Sequence, residues 1–447
     1  MRRCLFAIMT LVLTFSCDRQ QKDVSFLVLD PGHFHASLVF KHNLEGVDST
    51  IHLYAPDGAE AEQFLGYISD FEEAGTASWT VEWEAREDCL QRMISEGKGQ
   101  AVVLAGNNRR KAGYILESVK AGLNVLADKP MAINSEDYDL LAEAYSLAEE
   151  KGLVIYELMT ERHDILNIVE KALLNDDELF GQLQTGSPEE PAISMESIHH
   201  FYKNVSGTPL VRPEWYYDTE QQGEGIADVT THLLDLVNWQ CFPEEAVDPD
   251  EDIEVLKAEH WFTPITLAQY TQSTGAESFP DYLLKDVTDG VLNVYANGRV
   301  VYRVKGVNVE VKVIWNYEPP VGGGDCFSCV KRGEKAELRE VQDAASGFIK
   351  QLYIEDLGTN PDFEARLDAT LGKLSTDYPF LQAVDQGGGL YLIDIPVEKR
   401  LGHETHFSKV ASAFLSYLRG AELPSWEYSN SLAKYRVTTK AVEIASE

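Results

Sequence analysis

Short runs of β-branched and aliphatic residues alternate with stretches of helical period in the first third of the chain, and this alternation limits the fold more than any other feature. It is typical of a parallel sheet whose strands are joined by crossover helices. The predicted strands are residues 24–29, 50–55, 100–105, 123–127 and 153–156. The predicted helices include residues 109–121 and 135–151. We therefore expect a doubly wound α/β domain over residues 23–160.

The pattern changes beyond about residue 160. Residues 289–318 form long alternating runs, and Asn297-Gly298 predicts a hairpin turn between them. Helical patterns over residues 407–418 and 432–445 close the chain. Because 447 residues exceed what one hydrophobic core usually organises, we expect a second α/β domain over residues 161–447. Its sheet is predicted to be mostly antiparallel and open, and the domain includes the C-terminal helices.

Residues 1–22 have the pattern of a signal peptide and tether. A basic Arg2-Arg3 pair precedes an apolar stretch, which ends at the small Ser16-Cys17 junction. The junction resembles a bacterial lipoprotein box, with Cys17 as the lipidated residue; an ordinary secretory signal is the alternative. Either reading places the protein outside the cytoplasm. We expect it in the cell envelope of a Gram-negative bacterium, periplasmic or in the outer membrane, touching the membrane only through the lipid anchor.

Charge and cysteine content exclude several classes of function. The net charge of −35 argues against nucleic acid as a partner and fits a neutral substrate such as a sugar. Cys326 and Cys329 have C-x-x-C spacing in a strand-rich region, which favours a local disulfide or two unpaired thiols over a redox motif. No second C-x-x-C pair exists for zinc. The sequence leaves a homo-oligomer open.

In a doubly wound sheet the ligand binds at the carboxyl ends of the strands. The first predicted strand is followed by Asp30-Pro31-Gly32-His33-Phe34-His35, which retains one glycine of the G-x-G-x-x-G pattern. Asp57 follows the second strand about two positions later than an acidic residue that binds ribose would. These two loops alone are weak evidence for a dinucleotide.

A lysine follows the strand at residues 123–127. Pro130 lacks a backbone donor and restrains Lys129 away from the helical region, so the ammonium group is fixed at the edge of the sheet. There it could bind a substrate hydroxyl and stabilise a developing oxyanion. The alternative is a solvated turn lysine.

The segment from Gly223 to Asp235 is the second candidate. A glycine-flanked loop opens a predicted helix on which Asp228 and His232 are four positions apart and share a face. His232 would titrate near neutral pH, as a general acid or base does. Asp228 could orient it, and Asp235 could be a further partner. A lone helical histidine is more often structural, but the glycine loop and the paired aspartate favour catalysis.

These motifs resemble those of the glucose–fructose oxidoreductase, inositol dehydrogenase and rhizopine-catabolism (Gfo/Idh/MocA) family. The family's Glu-Lys-Pro motif corresponds to Asp128-Lys129-Pro130, and its glycine run followed by Asp-x-x-x-His corresponds to the segment ending at His232. The resemblance implies a Rossmann domain over residues 23–160, NAD or NADP as cofactor, and Lys129, Asp228 and His232 as the catalytic set. The residues expected at the cofactor are Gly32, His33, Phe34, His35, Ala105, Asn107, Asn108, Asp128 and Lys129.

Aromatic and polar side chains between and after the motifs suit a sugar-binding cleft. The residues expected at the substrate are His200, Lys203, Trp215, Tyr216 and His406. The H-x-x-H spacing of His403 and His406 falls short of H-E-x-x-H, and we expect no metal site.

The predicted activity is oxidation of a secondary hydroxyl of a sugar or glycoside. Lys129 and His232 would accept the hydroxyl proton through a relay oriented by Asp228. Outside the cytoplasm, the cofactor would have to be tightly bound and recycled on the enzyme. The alternatives are an NAD-dependent, redox-assisted glycosidase and a non-catalytic sugar-binding lipoprotein.

Overall fold

A computed structural model describes residues 23–205 and 208–447 of the chain. Its first sheet is parallel, with strand order β3-β2-β1-β4-β5-β6. The strands are β1 (Val24–Leu29), β2 (Val47–Tyr54), β3 (Thr80–Trp83), β4 (Ala101–Leu104), β5 (Asn124–Ala127) and β6 (Ile155–Glu157). The strand order reverses between β1 and β4, and a ligand of such a sheet binds at that point. The predicted doubly wound domain is confirmed.

Helices cover both faces of this sheet. They are α1 (His35–Leu38), α2 (Ala59–Glu73), α3 (Cys89–Glu96), α4 (Asn108–Lys120) and α5 (Ser135–Lys151). The side chain of Asn107 caps α4 by accepting a hydrogen bond from the amide of Arg109, and Asn134 caps α5 in the same way. Helix α5 has the predicted bounds and ends where Gly152 adopts a left-handed conformation.

The second domain is built on a ten-stranded sheet of order β10-β12-β13-β7-β14-β15-β16-β18-β17, with β11 paired to β12. All pairs are antiparallel except β7 with β13, which confirms the predicted architecture. The strands of this half are β7 (Ile193–His200), β8 (Asn204–Val205), β9 (Thr208–Pro209), β10 (Ile253–Thr266), β11 (Val287–Thr288), β12 (Val291–Val304), β13 (Val307–Asn316), β14 (Cys326–Arg332), β15 (Ala336–Gln342), β16 (Gln351–Asp356), β17 (Gln382–Gly387) and β18 (Leu390–Asp394). Its helices are α6 (Ile165–Leu174), α7 (Thr219–Gln222), α8 (Thr230–Cys241), α9 (Leu267–Thr274), α10 (Phe363–Lys373), α11 (His403–Leu418) and α12 (Glu427–Ser446).

The predicted hairpin turn at Asn297-Gly298 is wrong. Both residues lie inside β12, next to a register shift against β10. The Asn297 carboxamide accepts a hydrogen bond from the amide of Trp315 at 2.8 Å and donates one to Thr263 Oγ1 at 2.8 Å. The turn between β12 and β13 is instead Lys305-Gly306, where both residues have positive φ.

The C-x-x-C pair lies on a strand and forms no disulfide. Cys326 and Cys329 are both in β14, and all four cysteines in the described part of the chain are free. Residues three apart on a strand point to opposite faces, so this pair is not placed to form a bond. Of the two alternatives favoured from the sequence, the unpaired thiols are observed.

The two C-terminal helices, α11 and α12, pack against the first domain. Phe407, Val410 and Phe414 of α11 belong to the same core cluster as Phe26 and Val28 of β1. Helix α12 packs against the second sheet and also contributes two tyrosines to the core beneath α5. Among the described residues, no helix is long and apolar enough to cross a membrane. Cys17 and the predicted signal peptide lie outside the described residues.

Candidate active site between the two domains

Lys129 lies at the carboxyl edge of the first sheet. Strand β5 ends at Ala127, and the amide of Asp128 still pairs with the carbonyl of Leu104 at 2.8 Å. The Lys129 side chain is largely buried, and its Nζ atom lies 2.6 Å from Oδ1 of Asp228. The predicted lysine and aspartate therefore form one ion pair.

Asp228 is held by a turn that precedes α8. Glycine is required at position 225, because a Cβ atom there would lie 1.9 Å from the carbonyl oxygen of Ala296. The helix begins at Thr230, so Asp228 is not on it, in contrast to the prediction. The Asp228 carboxylate contacts Lys129, and among the described residues the Nδ1 atom of His232 has no hydrogen-bond partner.

Asp235 does not act on His232. Both of its carboxylate oxygens accept hydrogen bonds from Arg162 at 2.7 Å, and one also contacts Lys434. Arg162 in turn contacts Glu427 of α12. Asp235 therefore belongs to a buried ionic network that links α8 to α12 through Arg162, and its expected role beside His232 is corrected.

Burial decides the charge states in this site. It lowers the pKa of His232 to about 3, and the Lys129 ammonium contributes to the same shift. Burial alone would raise the pKa of Asp228, but the Lys129 ammonium holds it below its ordinary value. At neutral pH His232 is neutral and Asp228 is ionised. The expectation that His232 titrates near neutral pH is therefore wrong, because burial disfavours the imidazolium.

Lys129, Asp228 and His232 line a cavity of about 650 Å³ between the domains. A smaller cavity of about 210 Å³ shares the walls formed by Glu161, His199 and His232. Volumes of this order suit a small molecule. The other residues of the larger cavity are His33, Phe34, His35, Lys41, Lys203, Leu210, Arg212, Tyr216, Val229, Trp315, Gly402, His403, Glu404 and Thr405.

Two of the five expected substrate residues line the larger cavity, namely Lys203 and Tyr216. His200 is buried and bonds Asp325 through Nδ1 at 2.9 Å. His406 is buried in α11, and its Nδ1 has no partner within the described residues. Trp215 lies instead at the crevice between the β1 and β4 loops.

Two other histidines, close by in the sequence, line the cavity where His200 and His406 were expected. His199 lines the cavity instead of His200, and His403 instead of His406. The alternation of β7 contained the signal for His199, but which face is inward depends on pairing with other strands. Arg212 was not predicted; its guanidinium lies 4.3 Å from the ring centre of Tyr216 and holds that ring in the wall.

The crevice between the β1 and β4 loops is closed by protein contacts. The amides of Gly32 and His33 donate to the carbonyl of Ala105 at 3.2 and 3.1 Å. A Cβ atom on Gly32 would lie 3.1 Å from Cζ2 of Trp215, whose Nε1 donates to Glu60 at 3.1 Å. The crevice therefore has few free donors for an anion.

The remaining residues expected at the cofactor lie around this crevice or in the cavity. Asn107 donates to Gln221 Oε1 at 2.7 Å, and Asn108 donates to the carbonyl of Gln222 at 2.7 Å. Phe34 and His35 line the larger cavity. The structure thus groups all of these residues, but the asparagine amides already bind α7.

Comparisons with known proteins identify the family. A model described as "Putative oxidoreductase C terminal domain" matches residues 169–446, and one described as "Oxidoreductase family, NAD-binding Rossmann fold" matches residues 32–158. The chain belongs to the Gfo/Idh/MocA oxidoreductase family. The resemblance seen in the sequence motifs is confirmed.

Solved structures share this fold. A crystal structure titled as a "putative oxidoreductase" from Parabacteroides merdae is 42% identical, with a TM-score of 0.92 over 95% of this chain and 98% of that one. KijD10, a 3-ketoreductase from Actinomadura kijaniata crystallised with NADP and TDP-benzene, is 13% identical and shares the fold with a TM-score of 0.52 over 95% and 98% of the two chains. A relative found by sequence, "Putative oxidoreductase YteT" of Bacillus subtilis, is 22% identical over 156 residues, which are 35% of this chain and 33% of that protein.

The Gfo/Idh/MocA family is described as NAD-binding, and the crevice can be tested against that cofactor. A dinucleotide places its diphosphate on free loop amides at the switch point, beside a helix N-terminus. Here the Gly32 and His33 amides are used by Ala105, Trp215 covers Gly32, and α1 has only four residues. The predicted cofactor, NAD or NADP, is confirmed by the match to the NAD-binding family, and its diphosphate would enter this crevice only after Trp215 and the Gly32-His33 loop move. The cavity beside Lys129 can accept a planar ring.

Proposed function

We propose that this oxidoreductase acts on a secondary hydroxyl of a sugar or glycoside. The observation that carries the proposal is the 2.6 Å contact between Lys129 and Asp228 in the wall of the 650 Å³ cavity, beside a neutral His232. Tyr216 and Trp315 form aromatic parts of the wall beneath Arg212, where their free edges can contact ring C–H groups. Lys203 and His199, which both pair with Asp325, are the polar groups beside them for sugar hydroxyls. Proteins of the same fold include KijD10 and a "putative myo-inositol dehydrogenase" from Sinorhizobium meliloti.

Lys129 binds the substrate hydroxyl, and His232 accepts its proton. When bound, a nicotinamide nucleotide supplies the hydride acceptor. The Lys129 ammonium, held by Asp228, donates a hydrogen bond to the substrate oxygen and stabilises the negative charge that develops on it. His232 is neutral and has a lone pair that can accept the proton. Because the pKa of His232 is about 3, it cannot keep that proton at neutral pH and releases it to water in the cavity.

The test is to incubate the purified full-length chain with a panel of glycosides, with and without added NAD or NADP. Formation of a keto-sugar supports the proposal, and Lys129→Ala is the inactive control. Release of aglycone without net NADH would favour the redox-assisted glycosidase. Sugar binding without turnover under every condition would indicate the non-catalytic alternative and overturn the proposal.

We also propose that the protein lies in the cell envelope and that its nucleotide is retained and recycled. The predicted leader over residues 1–17 motivates both statements, because a free nicotinamide pool is not assured outside the cytoplasm. Retention through purification requires a Kd of about 1 nM or below, equivalent to roughly 12 kcal/mol. Assay of nucleotide released from freshly denatured protein tests retention directly, and a nucleotide-free preparation that needs millimolar NAD would contradict it.

A further inference from the structure

Two histidines of the β1 loop meet a carboxylate from the end of β5. Nδ1 of His35 lies 3.0 Å from Oδ2 of Asp128, and Nδ1 of His33 lies 3.6 Å from the same oxygen. One ligand atom from each of the three residues lies within 4.8 Å of the others. A tetrahedral ion with bonds of about 2.0–2.1 Å holds its ligand atoms about 3.4 Å apart, which lies between these two distances. The His35 amide donates a long hydrogen bond to Nδ1 of His33 at 3.4 Å, and an ion bound at that atom would replace it.

Among the described residues, the Asp128 side chain has one direct hydrogen-bond partner, His35, and no lysine or arginine contacts it. It is 4% exposed, and its Oδ1 atom has no hydrogen-bond partner within residues 23–205 and 208–447. Lys129 contacts Asp228, and Lys111 donates to Asn108 Oδ1 at 2.6 Å, so that, against the effect of burial, the Lys111 ammonium lowers the pKa of Asp128 through its charge without bonding to it. A buried carboxylate is costly unless a cation or a full set of donors offsets its charge.

We propose that His33, His35 and Asp128 bind a divalent transition-metal ion such as zinc or iron(II). Two imidazoles and one carboxylate are a ligand set for these ions, and such sites keep positions open for water or substrate. His33 and His35 both line the 650 Å³ cavity, so the open positions face the space that holds Lys129 and His232. The Asp128 carboxylate favours a cation over an anion in the space between these three side chains.

The sequence could not have suggested this site. His33 and His35 form a short H-x-H pair in a loop, and Asp128 lies 93 positions after His35. The fold joins them because β1 and β5 both flank β4, so that their carboxyl ends meet at one edge of the sheet. The expectation of no metal site rested on the spacing of His403, His406 and the cysteines, none of which is part of this cluster.

The metal ion would deepen the proposed function by acting as a Lewis acid on the substrate oxygen whose proton His232 accepts. This role rests on the proposed function, whereas metal binding itself does not. A protein that binds the ion but oxidises no sugar would therefore refute the function and leave the site standing.

The experiment measures metal binding in the full-length chain. After removal of bound metal by a chelator, the protein is titrated with Zn²⁺ by calorimetry and with Co²⁺ by visible absorption. We expect one ion per chain and d–d bands of a low-symmetry Co²⁺ site. His33→Ala, His35→Ala and Asp128→Asn should each raise the Kd by more than about 100-fold, since loss of even an outer partner costs 10- to 100-fold.

His52→Ala is the matched control, because His52 also pairs with a carboxylate of the first domain, Glu82 at 3.2 Å. Its stoichiometry and Kd should match those of the unaltered chain. Asp128→Asn preserves the side-chain shape, and thermal melts establish that each variant is folded. Absence of saturable Zn²⁺ binding, or binding that is unchanged in all three ligand variants, would overturn the proposal.

Discussion

The ammonium nitrogen of Lys129 lies 2.6 Å from Oδ1 of Asp228, and this contact joins residues 99 positions apart in sequence. Lys129 follows a strand of the first domain, and Asp228 lies in a turn of the second. The candidate site therefore exists only when the two domains pack together. Its geometry depends on residues that hold the domains in place as well as on those that line the cavity.

Lys129→Ala and His232→Ala should each lower kcat by about 10²- to 10⁴-fold, the range for lost acid–base or electrostatic assistance. The substrate is the glycoside that the unaltered chain turns over. Lys98→Ala, on the surface of the first domain, is the control and should retain full activity. Near-native turnover in both site variants, with unchanged melting temperatures, would remove these residues from the mechanism.

Trp215→Ala should strengthen nucleotide binding. Removing the indole uncovers Gly32 and the crevice, so the Kd for NADH or NADPH should fall by at least about 10-fold, which is roughly 1.4 kcal/mol. Fluorescence titration with NADH or NADPH measures this Kd. Glu60→Gln leaves the indole in place and serves as the comparison. If Trp215→Ala binds no more tightly than the parent chain, the ring is not the obstacle.

Acidification should destabilise the fold through His163 and His232. Burial lowers their pKa values to about 4 and about 3, against about 6.5 in the unfolded chain. Each histidine therefore takes up a proton on unfolding below pH 6.5, and the free energy of unfolding falls as pH drops toward 4. The slope is at most about 1.4 kcal/mol per pH unit for each proton. In denaturant melts from pH 7 to 4.5, His163→Gln should make the free energy of unfolding depend less steeply on pH, by the contribution of one proton. An unchanged slope would contradict the burial argument.

Lys331→Met should destabilise the second domain by about 3–5 kcal/mol, because it leaves Glu170 as an unpaired buried charge. Both side chains are almost fully buried, and Nζ of Lys331 lies 2.7 Å from the Glu170 carboxylate. The double variant Lys331→Met with Glu170→Met should recover much of the loss. Urea denaturation of both variants measures the effect, and equal losses in the two would argue against the charge explanation.

Cys17→Ser should prevent lipidation and release the protein from membranes. The basic, apolar and Ser-Cys order of the leader motivates this expectation. An acylated anchor would otherwise hold the domain at a membrane surface. Fractionation of cells and mass spectrometry of the mature N-terminus measure it, with Cys89→Ser as the control. Persistent membrane association of the Cys17→Ser protein would refute the anchor.

Sequence patterns predicted the central strands because buried parallel strands are continuous apolar runs. Strand β3 was missed, since it has four residues at the edge of the sheet and alternates in burial. Asn297-Gly298 was misinterpreted because a strand irregularity uses the same residues as a turn.

The candidate site was predictable where residue type and local motif coincide, as at Lys129, Asp228 and His232. The charge state of His232 was not, because burial comes from elements remote in sequence. The choice between His199 and His200 depends on strand pairing, and the meeting of His33, His35 and Asp128 depends on strand order. Such properties follow from the assembled fold.

Helix α11 completes the core of a sheet whose first strand lies about 380 positions earlier in the chain. Residues 23–160 expressed alone would expose the apolar surface that Phe407 and Phe414 cover, and we expect such a fragment to aggregate. Folding must also wait for synthesis of the C-terminus, and contacts of this sequence separation make it slow. Because α11 is packed into the core of the first domain, the two domains cannot swing far apart about a hinge. Substrate exchange should therefore depend on side chains and loops at the mouth of the cavity.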